Sequence, residues 1–327
     1  ADIVAADAHT RALAECAELW RPIHGLDDSH IAQLIRSDKV DILICLAGHF
    51  DNNRPLVCAF KPAPVQISFH DAATSGLRTV DYLISDINLT PRHGLERYTE
   101  RVLRLPSFYI HPHLEDAPPV MPRMAGEQAE LTFANFGNPA KINNAVIAVW
   151  AQVLNALPGS RLMLKYKNVY GDESVRADFE ARFAGHGVAA SRMIWHGHSP
   201  STHAHLALYH DVDITLDSFP FNGSTTTFES LWMGVPVLTL VGENMVGRWG
   251  AAMLRRAGLG DWIATSSADF VARAVRLATQ PQALSTLRAN LRERIAASPL
   301  CATQKRARQF ERLLRAAWRH SGGTLAP

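Results

Sequence analysis

The sequence predicts an α/β protein built from two Rossmann-like lobes, and three observations lead there. Strand-like apolar runs alternate with helix-like runs from one end of the chain to the other. The strand-like runs are near-continuous in apolar residues, as in parallel sheets covered on both faces. A Pro-rich, charged stretch without periodicity, His111 to Glu130, interrupts the series and has the character of an interdomain connection.

In chain order, Asp41–Leu46, Val65–Phe69 and Tyr82–Ile84 read as strands of a first lobe spanning residues 1–112. Residues 113–130 read as the linker, and residues 131–300 as the second lobe. That lobe takes its strands from Leu131–Phe136, Arg161–Tyr166, Met193–Trp195, Val212–Leu216 and Pro236–Val241. Asn143 or Asn144 can cap a helix whose apolar face is Val146, Val149, Trp150, Val153 and Leu157. From Thr303 to Trp318 the chain reads as one amphipathic helix, and residues 301–327 are expected to pack back on the first lobe. No internal repeat or low-complexity tract interrupts this plan.

A chain of 327 residues with 47% apolar residues can bury one large or two ordinary cores. The formal charge of +2 argues against bulk nucleic-acid binding. The late basic cluster, Lys305 to Arg319, reads as a solvated helix face. Cys16, Cys45, Cys58 and Cys301 form no CxxC pair, which suits free, mostly buried thiols in a reducing, cytoplasmic setting. No apolar run approaches a membrane span and nothing resembles a signal peptide, so no membrane partner is expected. The start, ADIVAADAH, lacks Met and suggests a processed chain or a fragment.

The densest functional signal is Val212–Val237, VDITLDSFPFNGSTTTFESLWMGVPV. It reads as buried strand, Gly/Pro loop, helix, terminating glycine and second strand. The run from Ser224 supplies an N-cap, hydroxyls and backbone N–H groups suited to a pyrophosphate. Thr225 and Glu229 are four residues apart and share a helix face, so the carboxylate one turn in can accept both hydroxyls of a ribose. Lys141, in NFGNPAKINN, follows a strand and precedes a helix, where its ammonium can meet the same diphosphate. Both loops, Gly137–Lys141 and Asp217–Ser224, fall beyond the carboxyl ends of strands, where ligands bind in such lobes.

Other clusters are weaker. His196, His198, His203, His205 and His210 have no acidic or cysteine partner at metal-ligand spacing, although His205 can reach the phosphates. Asp211-Val-Asp213 mimics a metal-binding D-x-D but opens an apolar strand, so no metal is expected. His70-Asp71 closes the Val65–Phe69 strand, and both proton transfer and an Asx-type turn explain it.

FHDAATSG, VDYLISDINLTP, NFGNPAKIN, the His205 segment, LDSFPFNGSTTTFESLWMGVPVLTL and the late SPL together resemble the catalytic region of the O-linked N-acetylglucosamine (O-GlcNAc) transferase family. The likeness runs in order from about residue 35 to 318 and looks close to the bacterial members. The resemblance implies the two-lobed GT-B architecture, no metal or other cofactor, and inverting transfer of N-acetylglucosamine from its UDP conjugate to protein Ser or Thr. A related branch transfers hexose to Asn. By motif, Lys141 and Asn138 match residues at the diphosphate, Thr225 and Thr226 the threonines beside it, Glu229 the ribose acid and His205 a histidine near uracil and ribose. Phe69 and His70, with Asn222 and Gly223, fall at the sugar, and His70 or Asp71 is a candidate base. Departures concern preference: His70-Asp71-Ala72-Ala73 replaces a Gly-Tyr-Pro-Gly run, Ser224 a histidine and Glu229 an aspartate. The family's first Rossmann segment and its acceptor-binding helical repeats have no counterpart, so the N-terminal lobe is expected to be incomplete and the repeats to belong to the parent protein. Three alternatives stay open: a UDP-sugar-binding module without transfer, a UDP-hexose transferase with another acceptor, and a UDP-sugar epimerase.

Overall fold

A computed structural model describes residues 2–46, 48–49, 53–70, 72–122 and 130–323. Its early elements are α1 (Ala8–Glu15), α2 (Asp28–Ser37), β1 (Ile42–Cys45), β2 (Val65–Ser68), β3 (Tyr82–Asp86) and β4 (Arg101–Leu105). Next come β5 (Thr132–Asn135), α3 (Asn144–Ala156), β6 (Arg161–Lys165), α4 (Glu173–Ala184), β7 (Met193–His196), α5 (Thr202–Ala207) and β8 (Ile214–Leu216). The chain ends through α6 (Thr225–Trp232), β9 (Val237–Leu240), α7 (Trp249–Arg256), β10 (Ile263–Ala264), α8 (Ser267–Ala278), α9 (Pro281–Ala296) and α10 (Thr303–His320).

These elements fall into two compact units. One comprises Ala1–Asp86, Glu96–Leu105 and Arg308–Pro327, the other Ile87–Leu95 and Pro106–Ala307. The first unit holds a parallel sheet in the order β1-β2-β3-β4. Val65, Ile67, Tyr82, Ile84 and Leu105 form a core on which Phe310, Leu313, Leu314, Ala317 and Trp318 of α10 pack. That spacing is the apolar stripe of an amphipathic helix, and burying it is what holds α10 there. On α2, Ile31 and Ala32 pack against Val57.

The second unit is a six-stranded parallel sheet in the order β10-β9-β8-β5-β6-β7. From β5 the chain winds outward through β6 and β7, returns to the other side of β5 as β8, then winds outward through β9 and β10. The order therefore reverses between β5 and β8, where Phe133 lies opposite Ile214. In an open α/β sheet the loops diverge at such a reversal and leave a crevice for ligand. Every residue of β5 and β8 is buried, as expected for strands covered on both faces. Asn143 caps α3 by accepting from the Val146 N–H at 3.0 Å, and Val146, Ile147, Trp150, Val153 and Leu154 are buried.

Two strands lie beyond the sequence expectation. β4 carries two arginines in RVLRL and β10 is two residues long, so neither forms an apolar run. Within the expected linker, residues 113–122 are tied to the second unit by arginines of α9. Arg288, 3% exposed, donates to the Met121 carbonyl at 2.8 Å, and Arg292 to the Pro118 carbonyl at 2.7 Å. Residues 123–129 of that stretch lie outside the described residues. None of the four cysteines forms a disulfide, and contrary to the expectation of mostly buried thiols only Cys58 is buried, Cys45 and Cys301 being half-buried and Cys16 exposed. Among the described residues no helix is long and apolar enough to cross a membrane.

Candidate functional site

The carboxyl ends of β5 and β8 are stitched together by Asn135, whose side chain donates to the Leu216 carbonyl at 2.8 Å and accepts from the Gly137 N–H at 2.9 Å. Asn138 then caps the short 3-10 turn Pro139–Lys141, accepting from the Ala140 N–H at 3.0 Å. That turn aims Lys141 at the loop after β8. Its ammonium donates to the Asn222 carbonyl at 2.9 Å and lies 4.0 Å from the centroid of Phe221 and 5.1 Å from that of Trp249. A cation held over aromatic faces is oriented at little desolvation cost.

The loop itself is built on Asp217. This carboxylate, 2% exposed, accepts from the Gly223 N–H and from the Thr239 hydroxyl, each at 2.7 Å. Burial raises its pKa to about 6, opposed by those two hydrogen bonds and by the charge of Lys141. Gly223 is required by close approach, since a Cβ there would lie 2.9 Å from Thr227 Oγ1 and 3.0 Å from Thr226 Oγ1. Asn222 is fully buried, and its amide donates to the Ser218 carbonyl at 2.8 Å, so its side chain braces the loop.

α6 begins next. Ser224 occupies the N-cap position but makes no side-chain capping bond, contrary to the sequence expectation. Its backbone (φ −119°, ψ −85°) lies outside the extended region from which a capping side chain reaches the helix N–H groups. Thr225 is exposed, Thr226 half-buried and Thr227 buried. The N-terminal end of a helix carries partial positive charge, and hydroxyls there suit an anion. One turn on, Glu229 Oε2 lies 3.2 Å from His205 Nε2, and His205 Nδ1 lies 2.7 Å from Lys165 Nζ. Tyr209, wholly buried, donates to the Thr226 carbonyl at 3.3 Å and ties this group to the start of α6. Asn138, Lys141, Asn222, Gly223, Thr226, Glu229 and His205 are thus linked through the β5 and β8 ends, with Ser224 and Thr225 in the same helix start.

Phe69 and His70 belong to the first unit, at the carboxyl end of β2, and Asp71 lies outside the described residues. Phe69 packs against Phe310 with ring centroids 5.1 Å apart. His70 is 3% exposed, and among the described residues neither ring nitrogen has a hydrogen-bond partner. Burial lowers its pKa to about 4, helped by nearby His49 and opposed by Glu100. His70 lines a small cavity with Cys45, His49, Cys58, Ser68 and Ser75. A neutral imidazole there can accept a proton but is a weak base. Among the described residues, no group of three or more His, Cys, Asp or Glu is placed to hold a metal ion.

Lys165, Asp217, Tyr209 and Trp249 escaped the sequence reading. Lys165 and Asp217 did leave a signal, each being a charge that ends an apolar strand at its carboxyl side. Tyr209 and Trp249 left none, because their roles depend on which elements become neighbours.

A model of Glycosyl transferase family 41 matches residues 23–128 and 120–310. A Solanum lycopersicum protein named "Probable UDP-N-acetylglucosamine--peptide N-acetylglucosaminyltransferase SPINDLY" is 38% identical over 323 residues, 97% of this chain and 35% of its own length. An Arabidopsis thaliana protein of the same printed activity, SEC, is 27% identical over 307 residues, 90% of this chain and 31% of its own. Among solved structures, a mutant of the Thermobaculum terrenum O-GlcNAc transferase superposes with a TM-score of 0.88 at 33% identity, covering 98% of this chain and 61% of that one. The Anabaena protein Alr3699/HepE in complex with UDP shares the fold, with a TM-score of 0.58 at 12% identity. The chain spans 35% of the length of the tomato relative.

Proposed function

This chain belongs to glycosyl transferase family 41 and has its two-lobed GT-B fold, and on that premise we propose that it moves N-acetylglucosamine from UDP-GlcNAc to Ser or Thr hydroxyls of proteins, inverting the anomeric centre without a metal ion. The observation that carries this reading is the meeting of Lys141, the start of α6 and Glu229 where the sheet order reverses. A cation, a helix N-terminus and a carboxylate one turn further in match the diphosphate and ribose of a nucleoside diphosphate. The printed activities of the relatives support the donor and the peptide acceptor.

In the proposed reaction the acceptor oxygen bonds to the anomeric carbon from the face opposite UDP, while the bond from that carbon to the β-phosphate oxygen breaks. Negative charge builds on the leaving phosphate, and Lys141, with the Thr225 and Thr226 hydroxyls, stabilises it. The hydroxyl proton goes to a base, for which His70, Asp71 and a donor phosphate oxygen are the candidates. Phe69, Asn222 and Gly223 would border the sugar, and Asn138 the diphosphate. The resemblance adds helical repeats of the parent protein as the acceptor-selecting part. The free cysteines support a reducing, cytoplasmic setting.

Calorimetric titration of UDP into this chain and its Lys141→Ala variant, with and without EDTA, tests the site; transfer to a Ser/Thr peptide tests the reaction. Metal-independent binding that weakens in the variant is expected, followed by transfer with inversion. Binding that EDTA abolishes would overturn metal independence, and binding without transfer to any peptide would favour a sugar-nucleotide-binding module.

A further inference from the structure

Lys165 closes β6 behind the buried run Leu162–Leu164, and is itself 7% exposed. Its ammonium does not pair directly with a carboxylate in this site; it meets His205 Nδ1 at 2.7 Å. An ammonium carries three donors and no acceptor, so His205 Nδ1 must accept. The neutral ring then holds its proton on Nε2, which faces Glu229 Oε2 at 3.2 Å. The imidazole therefore bridges a cation and an anion. Two consequences follow for a ligand. Both ring nitrogens are engaged, so His205 offers a ring face and edge, beside Phe136 at 5.8 Å and Tyr209 at 6.1 Å between centroids. Glu229 commits Oε2 to the ring, which orients Oε1 as the oxygen for a ribose hydroxyl.

We propose that Lys165 is a positioning residue for the nucleoside: acting through His205, it fixes the imidazole tautomer and holds Glu229 oriented toward the ribose. This rests on reading the site as one for a nucleoside diphosphate. Burial disfavours the charged ammonium, and the charge of Glu229 acts against that. A buried charge relay of this kind adds little net stability over a wholly apolar replacement, whereas removing one partner alone is destabilising. Its value lies in fixing one arrangement of donors and acceptors before ligand arrives, since preformed geometry lowers the cost of binding.

The test combines Lys165→Met and Lys165→Arg with UDP calorimetry, donor kinetics and ¹⁵N spectra of the histidines at pH 8, the His205 signals being assigned by their loss in His205→Asn. The expected result is an Nε2–H tautomer in the wild-type protein and a mixed tautomer in Lys165→Met. UDP binding should weaken about ten-fold in Lys165→Met, with KM rising, kcat little changed and partial recovery in Lys165→Arg. Equal UDP affinity in wild type and Lys165→Met, with an unchanged tautomer, would overturn the proposal while leaving the UDP site intact. An Nδ1–H tautomer in the wild-type protein would overturn it even if Lys165→Met failed to fold. No UDP binding by the wild-type chain would remove the nucleotide reading instead, and with it the role assigned to Lys165.

Discussion

Replacing Gly250 by alanine sets two familiar effects against each other. Gly250 lies in the first turn of α7, where alanine is the better helix former by at most about 1 kcal/mol. A Cβ at that point, however, would lie 2.5 Å from Thr239 Oγ1 and 2.6 Å from Asp217 Oδ2. Those two atoms form the 2.7 Å hydrogen bond that steadies Asp217, and Asp217 in turn holds the Gly223 N–H. Thr239 is fully buried and Asp217 nearly so, so neither can swing toward water. Overpacking of a tight interior costs about 1–3 kcal/mol, and loosening a buried hydrogen bond to a charged group about 1.5–3 kcal/mol more. The net expectation is a loss of about 2–5 kcal/mol, against the direction of helix propensity. Thermal unfolding and amide hydrogen exchange read it together. The midpoint of Gly250→Ala should fall, and the Gly223 amide, in the loop between β8 and α6, should lose protection relative to the wild type. A raised midpoint, or unchanged protection of Gly223, would refute the argument that Asp217 organises this loop.

Three further outcomes follow from the site and its surroundings. Lys141→Ala should lower the transfer rate by ~10²–10³, measured as single-turnover transfer at saturating donor; a loss confined to KM would remove Lys141 from leaving-group stabilisation. Glu229→Gln should weaken uridine binding while sparing inorganic pyrophosphate, read by competition against UDP, and equal weakening of both would break the ribose assignment. His70 and His111 both have pKa values lowered to about 4 by burial, against an ordinary value of 6.5. Folding therefore favours their neutral forms: the contribution is fully present above pH 6.5 and is lost as pH falls toward 4, up to about 3 kcal/mol for each. The midpoint gap between wild type and a His70→Asn/His111→Asn variant should move across that window and stay constant above pH 7; a gap that is flat throughout would refute it.

Much of the architecture was legible because strands and helices write their burial into a local period. The runs at Val65–Phe69, Leu131–Phe136 and Val212–Leu216 became β2, β5 and β8, and the stripe of Phe310, Leu313, Leu314 and Ala317 became the buried face of α10. β4 was not legible because its arginines break the apolar run, and Arg288 was not because a helix arginine ordinarily faces solvent. The local half of the candidate site was equally readable: Thr225 and Glu229 share a face by helical spacing alone. Sheet order decided the rest. Only with β8 beside β5 does Lys141 meet a carbonyl 81 residues away, and only with α5 over the end of β6 does Lys165 meet His205 across 40 residues. Sequence periodicity determined which faces are buried, because burial acts residue by residue. Which charges meet was decided by the crossover from β7 to β8, a long-range pairing that no local window of the chain contains.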